Sequence, residues 1–330
     1  MAEWLYEAGI GEARAALVVD GDIVEARIER DGEAPRVGAI IDAKLVEVGP
    51  GGRRATLALD RPGAPTVTVA QVPPATSLGA TLRVEIERMA LRERGRDKPA
   101  RARLADDGAA LSDGPDLSAR IAASGVPVTI LRPTDPDRLE QAGWSDVIDC
   151  VRRGHWDFAG GALWVDATPA MLLIDIDGEG DPLAIASAGA RAAAAVIRRC
   201  DIGGSIGIDF PAVPDRAGRQ AIDALIDAAL PPPFERTAVN GFGLMQIIRP
   251  RRRASLVEQV RFDLARTDAA LLLRQAERTV GTGPLTLTAR PAVIDQIAAY
   301  PAWAELLQTR TGRIVRLAPN PELKGTGHAQ

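Results

Sequence analysis

Aromatic residues are scarce in this chain of 330 residues, 4% of the whole, and none occurs between Tyr6 and Trp144. That long stretch therefore offers no ring on which a base could stack. Cysteine is scarcer still. Cys150 and Cys200 are the only two and stand in no metal-ligand spacing, which argues against a disulfide scaffold or structural zinc and suits a reducing cytoplasm. With only His155 and His328, a multi-histidine zinc centre or a Ser-His-Asp triad is disfavoured, and His328 falls in a tail that reads as frayed. No apolar run approaches the roughly 20 residues of a membrane span. The opening MAEWLYEAGIGEAR lacks the pattern of a secretory signal, so no membrane partner is expected. Nor is there an excess of basic charge: the net charge is −4, and any nucleic-acid contact must come from local patches.

What is present is ordinary globular composition, 46% hydrophobic and 25% charged, long enough for two or three modules. Residues 1–36 contain a hairpin pattern around Asp20-Gly21. From 37 to 104 the pattern is almost purely β. GAIIDAKLVEV, RRATLALD, PTVTVAQV and TLRVEIERM alternate apolar and polar residues between Gly and Pro punctuation, which fits a small OB-type barrel. A basic run follows, with Arg88, Arg92, Arg94, Arg96, Lys98, Arg101 and Arg103. It reads either as a solvated loop or as a grip on a nucleic-acid backbone. Residues 105–160 begin with a polar linker and then suggest a short helix, a strand and another helix.

Residues 161–254 carry the chemistry. GGALWVDATPAMLLIDID reads as a hairpin running into an aspartate strand, and GSIGIDF as a second such strand. Strand alternation puts Leu172, Ile174 and Ile176 on one face and Asp175 and Asp177 on the other; Asp209 likewise opposes Ile206, Ile208 and Phe210. Between them lies a helix with Asp181 as cap, Pro182 in the first turn, Gly203 beyond the end, and small residues from Ala188 to Ala195 that permit close packing. A crossover of that length makes the two strands parallel neighbours, so both carboxylates meet at one sheet edge, where hard cations such as Mg²⁺ find ligands. The competing reading of each aspartate is a cap or turn residue. Gly178 and Gly180 could admit a phosphate at the helix N-terminus. A second helix spans about 215–230, with Ile222, Leu225, Ile226 and Ala229 as its stripe. GFGLMQIIRPRRR reads as a strand ending in Arg249, Arg251, Arg252 and Arg253. Trp156, Phe158 and Trp164 read as core, and both cysteines as inert core thiols. Residues 255–330 open on a capping box, Ser255 to Glu258, and continue as strand, helix, strand.

These segments, in this order, resemble the ribonuclease E/G family of endoribonucleases. Ile174-Asp175-Ile176-Asp177 is similar to its Ile-Asp-Ile/Val-Asn strand, and Asp201 to Phe210 to its Asp-Leu-Gly-Gly-x-Ile-x-Ile-Asp-Phe motif. Phe242-Gly-Leu before the arginines and Gly95-Arg-Asp-Lys98-Pro match weaker family features. Asp177 stands where the family has Asn. The Cys-Pro-x-Cys zinc link is absent, the middle region is short, and no Arg-Thr pair for sensing a 5′-monophosphate is found. The resemblance implies an α/β fold of mixed character, with an OB-type barrel inserted into an α/β catalytic core and a small C-terminal α/β domain. It implies a cytoplasmic endoribonuclease cutting single-stranded RNA to 5′-phosphate and 3′-hydroxyl ends, monomeric or dimeric without zinc. Asp175 and Asp209 would be catalytic and would hold Mg²⁺, or Mn²⁺ in its place, with Asp177 as a third ligand. Lys98, Arg101, Arg249, Arg251, Arg252 and Arg253 would contact RNA phosphates. Two rivals follow from the same residues: an inactive RNA-binding relative, and a phosphohydrolase for small phosphoesters with a closed pocket.

Overall fold

The computed structural model of the chain describes residues 1–33, 35–59, 66–93 and 96–330. Arg94 of the basic run, Gly95 of the Gly-x-x-Lys turn and Asp60 at the end of a predicted strand lie outside the described residues. The fold is mixed α/β and contains a closed five-stranded barrel. Its contacts divide the chain into two units. One comprises Met1–Asp31, Ile121–Arg153 and Gln259–Gln330; the other comprises Gly32–Arg120 and Gly154–Glu258. No helix among the described residues is long and apolar enough to cross a membrane.

In the first unit, Ala2–Ala8, Glu12–Val19 and Asp22–Arg30 form an antiparallel meander. The turn at Asp20-Gly21 has positive φ at both residues, 53° and 97°, as a type I′ hairpin requires. Val128–Leu131 adds to the sheet parallel to Ala2–Ala8. The N-terminal strands therefore build a sheet of their own instead of joining the aspartate strands. The C-terminal stretch contributes a second sheet, in which Leu285–Ala289 pairs with Val315–Pro319 and His328–Ala329. His328 is thus held in a strand, unlike the frayed tail its polar surroundings suggest. The single helix expected between the two C-terminal strands is two helices, Pro291–Ala298 and Pro301–Thr311. Pro301 lacks an N–H and starts a new helix instead of continuing the old one.

In the second unit, Ile40–Val48 pairs with Arg53–Leu59 and Thr81–Arg88, and Arg53–Leu59 pairs with Val67–Gln71. Ala100–Leu104 closes the barrel, running parallel to Val67–Gln71 and antiparallel to Thr81–Arg88, which is the OB-type strand order. Alternation explains the interior. Ala43, Leu45, Ala55, Leu57, Val67, Val69, Val84, Ile86, Ala100 and Ala102 all point inward and are buried. The same unit holds a six-stranded sheet whose order is His155–Phe158, Gly161–Ala167, Leu172–Gly178, Gly204–Asp209, Leu244–Arg249, Glu235–Arg236.

Helix Pro182–Arg199 packs against Gly161–Ala167 and Leu172–Gly178. A Cβ at Gly189 would sit 2.5 Å from Ile176 Cγ2, so the small-residue stripe does let the helix approach closely. Both predicted helix starts hold: Asp181 accepts from the Ala184 N–H and Asp215 from the Gly218 N–H. On helix Arg216–Ala229, Ile222 and Ile226 are buried and Leu225 half-buried, but Ala229 is exposed and Leu230 takes its place inside.

Candidate active site

The aspartate strands are parallel neighbours, and Asp175 is the register partner of Asp209. Following the register across the sheet gives one row on one face: His155, Trp164, Asp175, Asp209 and Leu244. The opposite face carries Leu163, Val165, Ile174, Ile176, Ile206, Ile208, Met245 and Ile247, all buried. The aspartate face is open. Asp175, Asp177 and Asp209 are exposed, and Trp164 (50%), Leu173 (40%), Leu244 (42%) and Ile248 (52%) are exposed with them.

Electrostatics single out Asp175. Burial, then the charges of Asp177 and Asp209, push its carboxyl above the ordinary 3.8, and the Ile176 N–H offsets this only in part. The three carboxylates therefore repel one another. Such a set of hard, exposed oxygens with unrelieved charge suits a Mg²⁺ ion, which commonly uses one or two carboxylates and keeps several waters. No group of three or more His, Cys, Asp or Glu side chains poised around one cation occurs among the described residues.

Glycine shapes the neighbourhood of Asp209. Gly243 has φ +92°, and a Cβ there would meet the Phe210 carbonyl oxygen at 2.3 Å. The Phe210 N–H donates to the Gly243 carbonyl. This turn leaves Phe242 89% exposed. The Phe-Gly-Leu segment thus brings the Leu244–Arg249 strand tightly beside Asp209.

The basic residues divide into two kinds. Lys98 Nζ lies 2.6 Å and Arg251 Nη1 2.9 Å from the same oxygen, Oε1 of Glu93. Arg251 also pairs with Glu258, which completes the capping box by accepting from the Ser255 N–H at 2.8 Å. Lys98 and Arg251, both expected to contact phosphates, therefore meet on one carboxylate, which links the paired segments Leu91–Glu93 and Arg96–Lys98 to the chain just beyond the strand Leu244–Arg249. Arg249 donates to the Ile202 carbonyl, and Arg101 pairs with Glu87. Arg252 is exposed, Arg253 half-buried, and the Arg252 carbonyl accepts from the Met89 N–H.

Three sequence expectations are corrected. The Gly178–Gly180 turn is not an open phosphate cradle, because the Asp181 carboxylate already caps that helix and Pro182 offers no N–H. Trp156 is buried and Phe158 half-buried, but Trp164 is half-exposed beside Asp175 and its ring lies 4.3 Å from His155. Strand parity signals this: Leu163 and Val165 point into the core, so Trp164 must point away. Cys200 is buried as expected, whereas Cys150 is only half-buried. No protein-family model matches the chain, and a search of curated proteins finds no match.

Proposed function

We propose that this chain is a metal-dependent endoribonuclease acting on single-stranded RNA, a shortened relative of the ribonuclease E/G enzymes. It would act in the cytoplasm as a monomer or as a dimer without a zinc link. The observation that carries the reading is the register pairing of Asp175 with Asp209 on an open sheet face, with Asp177 adding to their repulsion. Asp175 and Asp209, with Asp177 alongside, would hold Mg²⁺ or Mn²⁺, which would supply an activated water and neutralise charge on the phosphate.

The chain's own residues supply substrate placement. Trp164, one strand from Asp175 on the same face, offers a ring for an unpaired base, which the barrel cannot, having no aromatic residue. Arg252, exposed beyond the strand Leu244–Arg249, is the basic group offered to phosphates, whereas Arg251 and Lys98 act first as structural partners of Glu93 and Arg101 of Glu87. An open face suits a polymer threading across it and disfavours the small-phosphoester reading, which needs an enclosing pocket.

The test is cleavage of a labelled, unstructured RNA in Mg²⁺ or EDTA by the wild-type protein and the Asp209→Asn variant. Internal cuts that need both Mg²⁺ and Asp209 are expected. Cuts by the variant equal to wild type would refute the assignment. The absence of aromatic residues from the barrel segment and Asp177 in place of the family's Asn favour one alternative, an RNA-binding relative without activity. It predicts salt-sensitive RNA binding and no cutting under any metal.

A further inference from the structure

The row across the aspartate face does not end at its carboxylates. Trp164 stands one strand outside Asp175 and Leu244 one strand outside Asp209, three strand intervals or about 14 Å apart. Both are exposed, at 50% and 42%. The next row along the same face reads Asp166, Leu173, Gly207 and Gln246. A Cβ on Gly207 would meet Leu173 Cδ2 at 2.9 Å and Met171 Sδ at 3.1 Å, so these two side chains lean into the gap the glycine leaves. The carboxylates thus border an apolar floor, a surface that suits flat bases better than phosphates.

Phe242 lies just beyond Leu244, and its exposure is built into a fixed turn. Asn240 Oδ1 accepts from the Phe242 N–H at 2.9 Å and from the Leu244 N–H at 3.1 Å. The Asn240 N–H donates to the Leu244 carbonyl, and the Gly243 N–H to the Asn240 carbonyl. Gly243 comes so near the aspartate strand that a Cβ on it would lie 3.8 Å from Asp209 Oδ1. A single exposed ring is ordinary on a protein surface. One held on a fixed turn beside a pair of carboxylates, with a second exposed ring on their far side, is not.

Stacking tolerates any sequence but needs unpaired bases, and the barrel segment has no ring to offer them. A second copy of the chain laid on this face would set its own carboxylates against Asp175, Asp177 and Asp209, which already repel one another. We propose that Phe242 and Trp164 are paired stacking platforms that take the bases on either side of the scissile phosphate, splaying them apart so that the backbone crosses Asp175 and Asp209. The identity of the ligand rests on the nuclease reading. The two rings add a substrate requirement to it: a base must be unpaired on both sides of the cut, and a strand unpaired on one side engages only one ring.

The experiment uses the full chain and short labelled RNA strands that are abasic except for two adenines, set apart by none to four abasic units. Anisotropy is read in EDTA at low salt, so that no strand is cut; repulsion by the aspartates is common to every strand and cancels between spacings. Wild type should bind one spacing best, at least about fivefold above the others, because two linked stacks act together only when the spacer fits. Phe242→Ala and Trp164→Ala should each flatten that optimum, and Phe242→Tyr should keep it. Phe242 is 89% exposed, so Phe242→Ala should unfold at the wild-type temperature, which a ring serving only the fold would not allow. An optimum absent from wild type, or one that survives Phe242→Ala, overturns the proposal. Cleavage of ordinary unstructured RNA in Mg²⁺ by the same preparations keeps the two readings apart. An optimum without cleavage supports the ring pair and refutes the nuclease; cleavage without an optimum does the reverse. If strands bind only with Mg²⁺, the same spacings are compared as KM for cutting, and no binding under either condition overturns both.

Discussion

Replacing Glu93 with Gln keeps the shape of the side chain and removes the charge on which Lys98 and Arg251 converge. Glu93 is 7% exposed and its partners 32% and 20%, so the pair lies between a surface and a buried ion pair. Surface pairs contribute about 0.2–1 kcal/mol, and breaking a fully buried one costs about 3–5 kcal/mol. A loss of about 2 kcal/mol is therefore expected for the second unit. At roughly 2–4 °C per kcal/mol for a domain of this size, the unfolding midpoint should fall by about 4–8 °C at pH 7. The pH dependence fixes the cause. Burial pushes the Glu93 carboxyl up, but hydrogen bonds and charge from Lys98 and Arg251 outweigh it and hold the group below its ordinary 4.5. A depressed carboxyl contributes stability that is complete above the unfolded value and is lost as pH falls through the folded one. The gap between wild type and Glu93→Gln should be full at pH 7 and close well below pH 4.5. Equal midpoints at pH 7, or a gap that persists once Glu93 is protonated, would refute the ion-pair account.

Trp164→Ala should weaken binding of single-stranded RNA by about 1–3 kcal/mol, roughly 5- to 150-fold, while Trp164→Phe retains most of it, as read by fluorescence anisotropy. The raised carboxyl of Asp175 must be ionised to hold a cation, so activity should fall on acidification at a pH above its ordinary 3.8; a pH–rate profile checks this. Gly189→Ala puts a methyl 2.5 Å from Ile176 Cγ2 and should destabilise the second unit by about 1–3 kcal/mol in a denaturant titration.

The site was more legible than the fold around it. Asp175 and Asp209 follow from strand parity, and their pairing from the helix-length crossover, because both signals are local. Asp181, Asp215 and the Ser255–Glu258 capping box were readable for the same reason. The helix Trp144–Arg153 was missed although Trp144, Val147, Ile148 and Val151 recur at helical spacing and are all buried. It sits in a stretch whose polar linker suggested mere connection. The strands His155–Phe158 and His328–Ala329 carry too few residues to show a period and exist only through partners distant in sequence. The ionic cluster of the first unit, in which Glu7 holds Arg14 and Arg278 and Glu12 holds Arg30 and Arg274, was invisible for a further reason. Glu7, Glu12 and Arg14 look like the solvent side of a hairpin, and the arginines that bury them lie about 260 residues further on.

That separation has a consequence while the chain is being made. Arg278 follows Glu7 by 271 residues, which at typical synthesis speeds is a delay of tens of seconds. The barrel, contiguous in sequence, is complete long before that. The first meander has to wait with one face unfinished, and on a sheet of Val, Leu and Ile such a face invites pairing with the next nascent chain. Glu7, Glu12 and Arg14 sit on these strands as hydrated charges until Arg274 and Arg278 arrive, and a charge facing inward on an unfinished sheet keeps other strands off it. The residues that lock the finished unit are thus drawn from the first and the last stretches of the chain to be made.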